Sequence, residues 1–313
     1  MNQPFLWTGL FVIAGFAMAQ TKNEPQPIID VHLHSVTLQT LKNDVRTPLP
    51  IPELKPSESV EQHIKQTLAV MDRYNVVLGL VSGYDYEIGE QFRQSAPNRV
   101  WSGPQFGRPR LNIDTLRMRY NAGLFSVMGE LTMQYMGFSP SDPGLDPYFS
   151  LAESLNVPVS IHTGISFSGI TRVAPNFRVS LGNPLLFEEL LNRHPNLRVW
   201  LAHGGWPYLE ETIGILLVYP QVYLDIAVID WIIPREEFYA YLKALIRAGF
   251  GWRIMYGSDQ MSWPETIGLG IEAINQADFL SAEQKRDILY NNAARFLRLT
   301  PEQIAKHHGK IAK

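Results

Sequence analysis

The sequence contains no cysteine. That excludes disulfides, thiolate metal ligands and a lipid-anchoring cysteine at a signal-cleavage site. It carries little net charge, formally −3 across 313 residues. There is therefore no basic field to recruit nucleic acid or an anionic membrane, and a small-molecule partner is the natural expectation. No internal repeat, low-complexity tract or linker marks a second domain. A chain of this length can still form one unit, because closed α/β barrels run to about 250 residues or more.

What the chain does have begins with an apolar run at residues 5–18, F-L-W-T-G-L-F-V-I-A-G-F-A-M. It is too short to span a bilayer as a helix and has the length of a signal-peptide core. Ala17-Met18-Ala19 supplies a small-x-small cleavage pattern. The expectation is a signal peptide at 1–19, a mature chain from Gln20, secretion or a periplasmic location, and no membrane anchor after cleavage. Residues 20–313 then form a single domain.

Beyond this segment, apolar runs with strand character alternate with helical periodicity. The strands fall at 27–34, 76–82, 100–106, 124–131, 157–163, 197–203, 222–228 and 253–259. Helices are read from Val60, Ile64, Leu68 and Met71, from 185–192, and from Phe238, Leu242, Leu245 and Ile246 within 236–248. Ser281 and Gln284 are spaced as a capping box. Eight strands each followed by a helix imply parallel pairing with right-handed crossovers. Such a unit closes into a barrel or stays open as a doubly wound sheet. The Pro-rich segment 41–56, with Pro48, Pro50, Pro52 and Pro56, must be a loop; a lid and a subunit interface are both open to it, as is the oligomeric state.

The histidines sort into two sets. His32 and His34 flank one leucine at the end of the first strand, and residues two apart on a strand point the same way. His162 and His203 end the fifth and sixth apolar runs in I-H-T-G and A-H-G-G, and Asp259 ends the eighth in Y-G-S-D. Such strand ends are where barrels build catalysis, and imidazoles with a carboxylate suit a divalent metal. Residues on the first and eighth strands meet only if the barrel closes, which favours a (β/α)₈ TIM barrel over the open sheet. His63, near the exposed side of its helix, His194 in a turn, and His307 and His308 in the polar C-terminal tail read as surface or capping residues. Glu130 ends the fourth run in V-M-G-E, either touching metal or orienting a ligand histidine.

This set resembles the amidohydrolase superfamily, most closely its amidohydrolase-related branch of metal-dependent hydrolases and decarboxylases. The resemblance rests on I-I-D-V-H-L-H, L-A-H-G-G, Y-G-S-D and the closing Asn291-Asn292-Ala293-Ala294-Arg295-Phe296, and it spans residues 27–299. It implies His32, His34, His162 and Asp259 as ligands of one divalent ion, zinc above all, with two ions possible through Glu130. His203 is then a substrate-facing acid/base or a ligand of a second ion. Such an ion lowers the pKa of bound water from 15.7 to about 7; Asp259 takes the proton as general base while the ion or His203 polarises the carbonyl. The implied reaction is hydrolysis of an amide, lactone or ester. The alternatives are non-oxidative decarboxylation of an aromatic or unsaturated acid, and a non-catalytic binding barrel. Loop arginines Arg108, Arg110, Arg172 and Arg178 are candidates for clamping a carboxylate, and Trp206, Trp231 and Trp263 for walling the mouth.

Overall fold

The computed structural model describes residues 26–43, 54–108 and 111–310. The expected signal segment, Arg110 and most of the Pro-rich segment lie outside the described residues.

Eight parallel strands form in chain order. β1 is Ile28–His34, β2 Val76–Gly83, β3 Val100–Pro104 and β4 Met128–Leu131; β5 is Val159–His162, β6 Val199–Ala202, β7 Val222–Asp225 and β8 Ile254–Met255. Their ladders run β1-β2-β3 and β4-β5-β6-β7-β8. Two seams join them into one ring. Between β3 and β4, the Ser126 amide donates to Ser102 O at 2.8 Å and the Thr132 amide to Phe106 O at 2.9 Å. Between β8 and β1, the Val31 amide donates to Tyr256 O at 3.1 Å and the Asp259 amide to His32 O at 2.8 Å. The fold is thus a TIM barrel, and its closure brings the first and eighth strands together.

Sequence expectations overreach at some strand ends. Only Ile254–Met255 of the run at 253–259 pairs regularly with β7; beyond it the Tyr256 amide donates to Ile288 O, while the Tyr256 carbonyl and the Asp259 amide bond to β1. The ladder of β1 with β2 slips between Asp30 and Leu33. Such a bulge re-aims side chains near a functional site, and here Val31 and His32 both line the barrel interior.

Helices cover the ring. Ser59 caps Val60–Arg73 by accepting from the Gln62 amide, and that helix buries Ile64, Val70 and Met71. Arg235–Arg247 buries Phe238, Tyr241, Leu242 and Leu245. At 185–192 the expected helix divides into a 3₁₀ turn, Pro184–Phe187, and a short helix, Glu188–Arg193, because Asn183 and Pro184 set a tight start. The capping box of Ser281 and Gln284 forms as expected. Below the strands Phe296 closes the floor, its ring 5.6 Å from Trp200 and 4.8 Å from Tyr223. Asn292, fully buried, holds the closing helix by donating to Gly251 O and Ile254 O. Among the described residues no helix is long and apolar enough to cross a membrane.

Candidate active site

His32, His34, Glu130, His162, His203 and Asp259 are all buried and converge at the strand C-termini. His32 Nε2 lies 3.2 Å from His34 Nε2, 3.7 Å from Glu130 Oε2 and 4.0 Å from Asp259 Oδ1. His34 Nε2 lies 3.7 Å from Glu130 Oε2 and 3.0 Å from Asp259 Oδ1. Two ligands about 2.0–2.1 Å from a tetrahedral zinc stand roughly 3.4 Å apart, so these spacings suit one small divalent ion. Asp259 Oδ1 is a buried carboxylate oxygen that faces these two imidazole nitrogens. Burying such an atom is costly unless a charge meets it.

Three overlapping ligand sets hold their donor atoms within 4.8 Å: His32, His203 and Asp259; His32, His34 and Glu130; and Glu130, His162 and His203. His162 joins through Glu130 and His203. His32, Glu130 and His203 each belong to two of the three sets, and Glu130 Oε1 lies 3.1 Å from His203 Nε2.

Each histidine is anchored through Nδ1, which leaves Nε2 facing the cluster. His32 Nδ1 meets Asp225 Oδ2 at 2.9 Å, His162 Nδ1 meets Gln134 Oε1 at 2.7 Å, and His203 Nδ1 meets Ala227 O at 3.0 Å. His34 Nδ1 faces Ser82 Oγ at 3.5 Å. Such outer partners fix the tautomer of metal-binding imidazoles. His203 and Asp259 also carry backbone strain, with φ of 61° and 49° in the left-handed region that side-chain-bearing residues avoid.

The electrostatics follow from this crowding. Burial favours neutral His32, yet Asp225 and Glu130 draw its pKa well above the ordinary value. Burial disfavours a charged His203, and its bond to Glu130 outweighs that and raises its pKa. Burial lowers His162 to about 3, keeping it neutral. Glu130 and Asp259 are pushed up by burial, but the histidines around them hold both below the usual carboxylate range, Glu130 far below.

Several expectations need correction. His63 is fully buried, with Nε2 3.4 Å from His34 O and Nδ1 3.4 Å from Ser57 Oγ; its apolar spacing shifted the buried helix face by part of a turn. His194 does cap its helix but is buried, between Asp146 and Glu153. His307 ends a helix, Pro301–His307, His308 caps it, and both pack on Tyr290. Arg178 spends its guanidinium on Pro175 O and Phe177 O, and Arg108 lies over the Phe138 ring. Trp231 is buried and donates to Ser258 O, and Trp263 is buried too.

Sequence reasoning missed Asp225, Gln134 and Tyr135. Asp225 had a signal, since it ends the seventh run in Y-L-D as Asp259 ends the eighth. Gln134 and Tyr135 sit in a 3₁₀ turn after β4, Met133–Met136, and carried none.

The sequence model of the amidohydrolase family matches residues 29–299, and the chain belongs to that family. A curated relative, protein fluG of Emericella nidulans, is 23% identical over 162 residues, which make up 47% of this chain and 18% of that protein. The chain therefore spans about a fifth of that relative's length. Among solved structures, 4-oxalomesaconate hydratase of Rhodopseudomonas palustris has a TM-score of 0.60 at 16% identity, covering 91% of this chain and 100% of that one. A dihydroxybenzoic acid decarboxylase of Polaromonas sp. JS666 with bound manganese has a TM-score of 0.62 at 13% identity, covering 89% and 98%. A divalent metal is in keeping with the family and with this cluster of histidines and carboxylates.

Proposed function

We propose that this protein is an exported, zinc-dependent hydrolase that cleaves an amide, lactone or ester. His32, His34, His162, Glu130 and Asp259 would hold one cation, with His203 facing the substrate. The carrying observation is the convergence of three buried donor atoms, with His34 Nε2 3.2 Å from His32 Nε2 and 3.0 Å from Asp259 Oδ1. Nitrogen and carboxylate donors without sulfur suit zinc. Lewis acidity, which polarises a carbonyl and acidifies water, is what a bound cation supplies there.

The chain's own groups supply the proton traffic. Asp259, held ionised by its histidine neighbours, accepts the proton that attacking water gives up. His203 keeps its Nδ1 proton on Ala227 O and its Nε2 directed at Glu130. With its pKa raised, it holds an Nε2 proton to lend to the carbonyl oxygen. The burial of all six groups excludes bulk water and strengthens each interaction.

The test assays purified, zinc-loaded protein against lactone and ester substrates beside hydroxybenzoates. Hydrolysis that stops with Asp259→Asn supports the reading. Carbon dioxide release without hydrolysis overturns it in favour of decarboxylation. For export, N-terminal sequencing of the mature protein should begin at Gln20; a chain retaining residues 1–19 contradicts that part.

A further inference from the structure

His162 differs from the other site histidines in that its Nε2 meets a residue outside the ligand cluster, Tyr135, as its Nδ1 meets Gln134. Gln134, nearly fully buried, commits both amide hydrogens to the loop after β5, donating to Gly164 O at 2.9 Å and Arg178 O at 3.0 Å. Its Oε1 therefore only accepts, from His162 Nδ1 at 2.7 Å. That fixes the proton on Nδ1 and the lone pair on Nε2. The Tyr135 hydroxyl, 3.2 Å from Nε2, must then be the donor, and it accepts in turn from Ser166 Oγ at 2.8 Å.

The same two residues hold the loop. Its ends meet where the Gly164 amide donates to Gly182 O at 2.8 Å. A Cβ on Gly182 would lie 2.8 Å from Gln134 Nε2 and 2.3 Å from Gly164 O, so glycine is required at this neck. The Tyr135 ring stacks edge-on against His162 at 4.9 Å and Phe177 at 5.2 Å. Phe177 belongs to the loop's own small core with Ile170 and Ala174.

A lone pair that ligates a cation cannot also accept a hydrogen bond. We propose that Gln134 and Tyr135 grip His162 from opposite nitrogens with opposite consequences: Gln134 prepares the imidazole for a cation, whereas the Tyr135 hydroxyl competes with the cation for Nε2. With Nε2 committed to a cation, the Tyr135 hydroxyl would lose its acceptor there, and the hold on the loop through Ser166 and Phe177 would change. Gln134 is a positioning residue. The inference rests on the reading of His162 as a ligand given above.

The test is zinc affinity of the full-length protein, measured by competition with a chelator, together with amide hydrogen exchange across residues 164–182. Gln134→Leu should weaken zinc binding about 10–100-fold, the usual effect of losing an outer partner of a ligand histidine. Tyr135→Phe should tighten it roughly two- to tenfold, the worth of one hydrogen bond. Gln134→Glu keeps the acceptor and loses both donors, so it should retain affinity while exchange in the loop rises. Zinc should change loop exchange in the wild type and leave it unchanged in Tyr135→Phe. Equal or weaker binding by Tyr135→Phe, or an unaltered wild-type loop, overturns the coupling. So does a Gln134→Glu protein that loses affinity as fully as Gln134→Leu. A wild type that binds no zinc overturns the ligand assignment underneath it.

Discussion

His32 and Asp225, 193 residues apart, share a 2.9 Å hydrogen bond from imidazole Nδ1 to carboxylate Oδ2. Asp225 is fully buried and accepts from three further donors: Trp200 Nε1 at 3.1 Å, the His203 amide at 2.8 Å and the Ala227 amide at 3.1 Å. One carboxylate at the end of β7 thus sets the orientation of two neighbouring strand-end histidines. Asp225→Asn should fold but bind zinc about 10–100-fold more weakly, because an amide no longer supports the His32 tautomer with full charge. Chelator competition measures this. Wild-type affinity would show that the Asp225 bond serves packing alone.

Glu130 and Asp259 both belong to the ligand set, and Asp259 is also the proposed general base. Glu130 contacts His32, His34 and His203, so Glu130→Gln should lower the bound metal per chain, as read by elemental analysis. Asp259→Asn should lower turnover about 10²–10⁴-fold, the usual contribution of a general base. Turnover by Asp259→Asn at the wild-type rate would assign the proton transfer elsewhere.

His63 makes acid stability a local question. Burial depresses its pKa to about 4, from an ordinary value of 6.5. Between those values the unfolded chain binds a proton that the folded chain refuses, so stability falls as pH drops from 6.5 toward 4. The share from this residue is up to about 3 kcal/mol. Denaturant titrations at pH 7 and pH 4.5 should show a smaller acid loss in His63→Gln than in wild type. An equal loss would place the acid sensitivity in other groups.

Asp230 points the other way. It is buried with no hydrogen-bond partner on either carboxylate oxygen among the described residues, and burial pushes its pKa well above the ordinary value. The folded state keeps a proton that the unfolded state releases, so this group costs stability increasingly as pH rises above about 4. Asp230→Asn should stabilise the protein more at pH 8 than at pH 5, measured by thermal unfolding. A loss of stability at pH 8 would show that the carboxylate has a partner there.

The barrel was legible because its strands alternate with helices and its histidines and Asp259 end apolar runs. Strand ends carry both the pattern and the chemistry, so His32, His34, His162, His203, Glu130 and Asp259 could be picked together. What escaped depends on contacts between distant segments. The bulge between Asp30 and Leu33 leaves no trace in residue type. The Gln134 and Tyr135 grip arises where a 3₁₀ turn meets another loop. The burial of His63 follows from its seating on the His34 carbonyl, 29 residues earlier in the chain. Polar residues inside a helix read as exposed until the neighbour that satisfies them is known.

The most direct test is the metal content of purified protein prepared with ample zinc, set beside His32→Ala. One ion per wild-type chain is predicted, with none in the variant and with turnover of the best lactone or ester abolished by a chelator and restored by zinc. A wild type that carries no divalent ion, or one whose turnover ignores the chelator, contradicts the account.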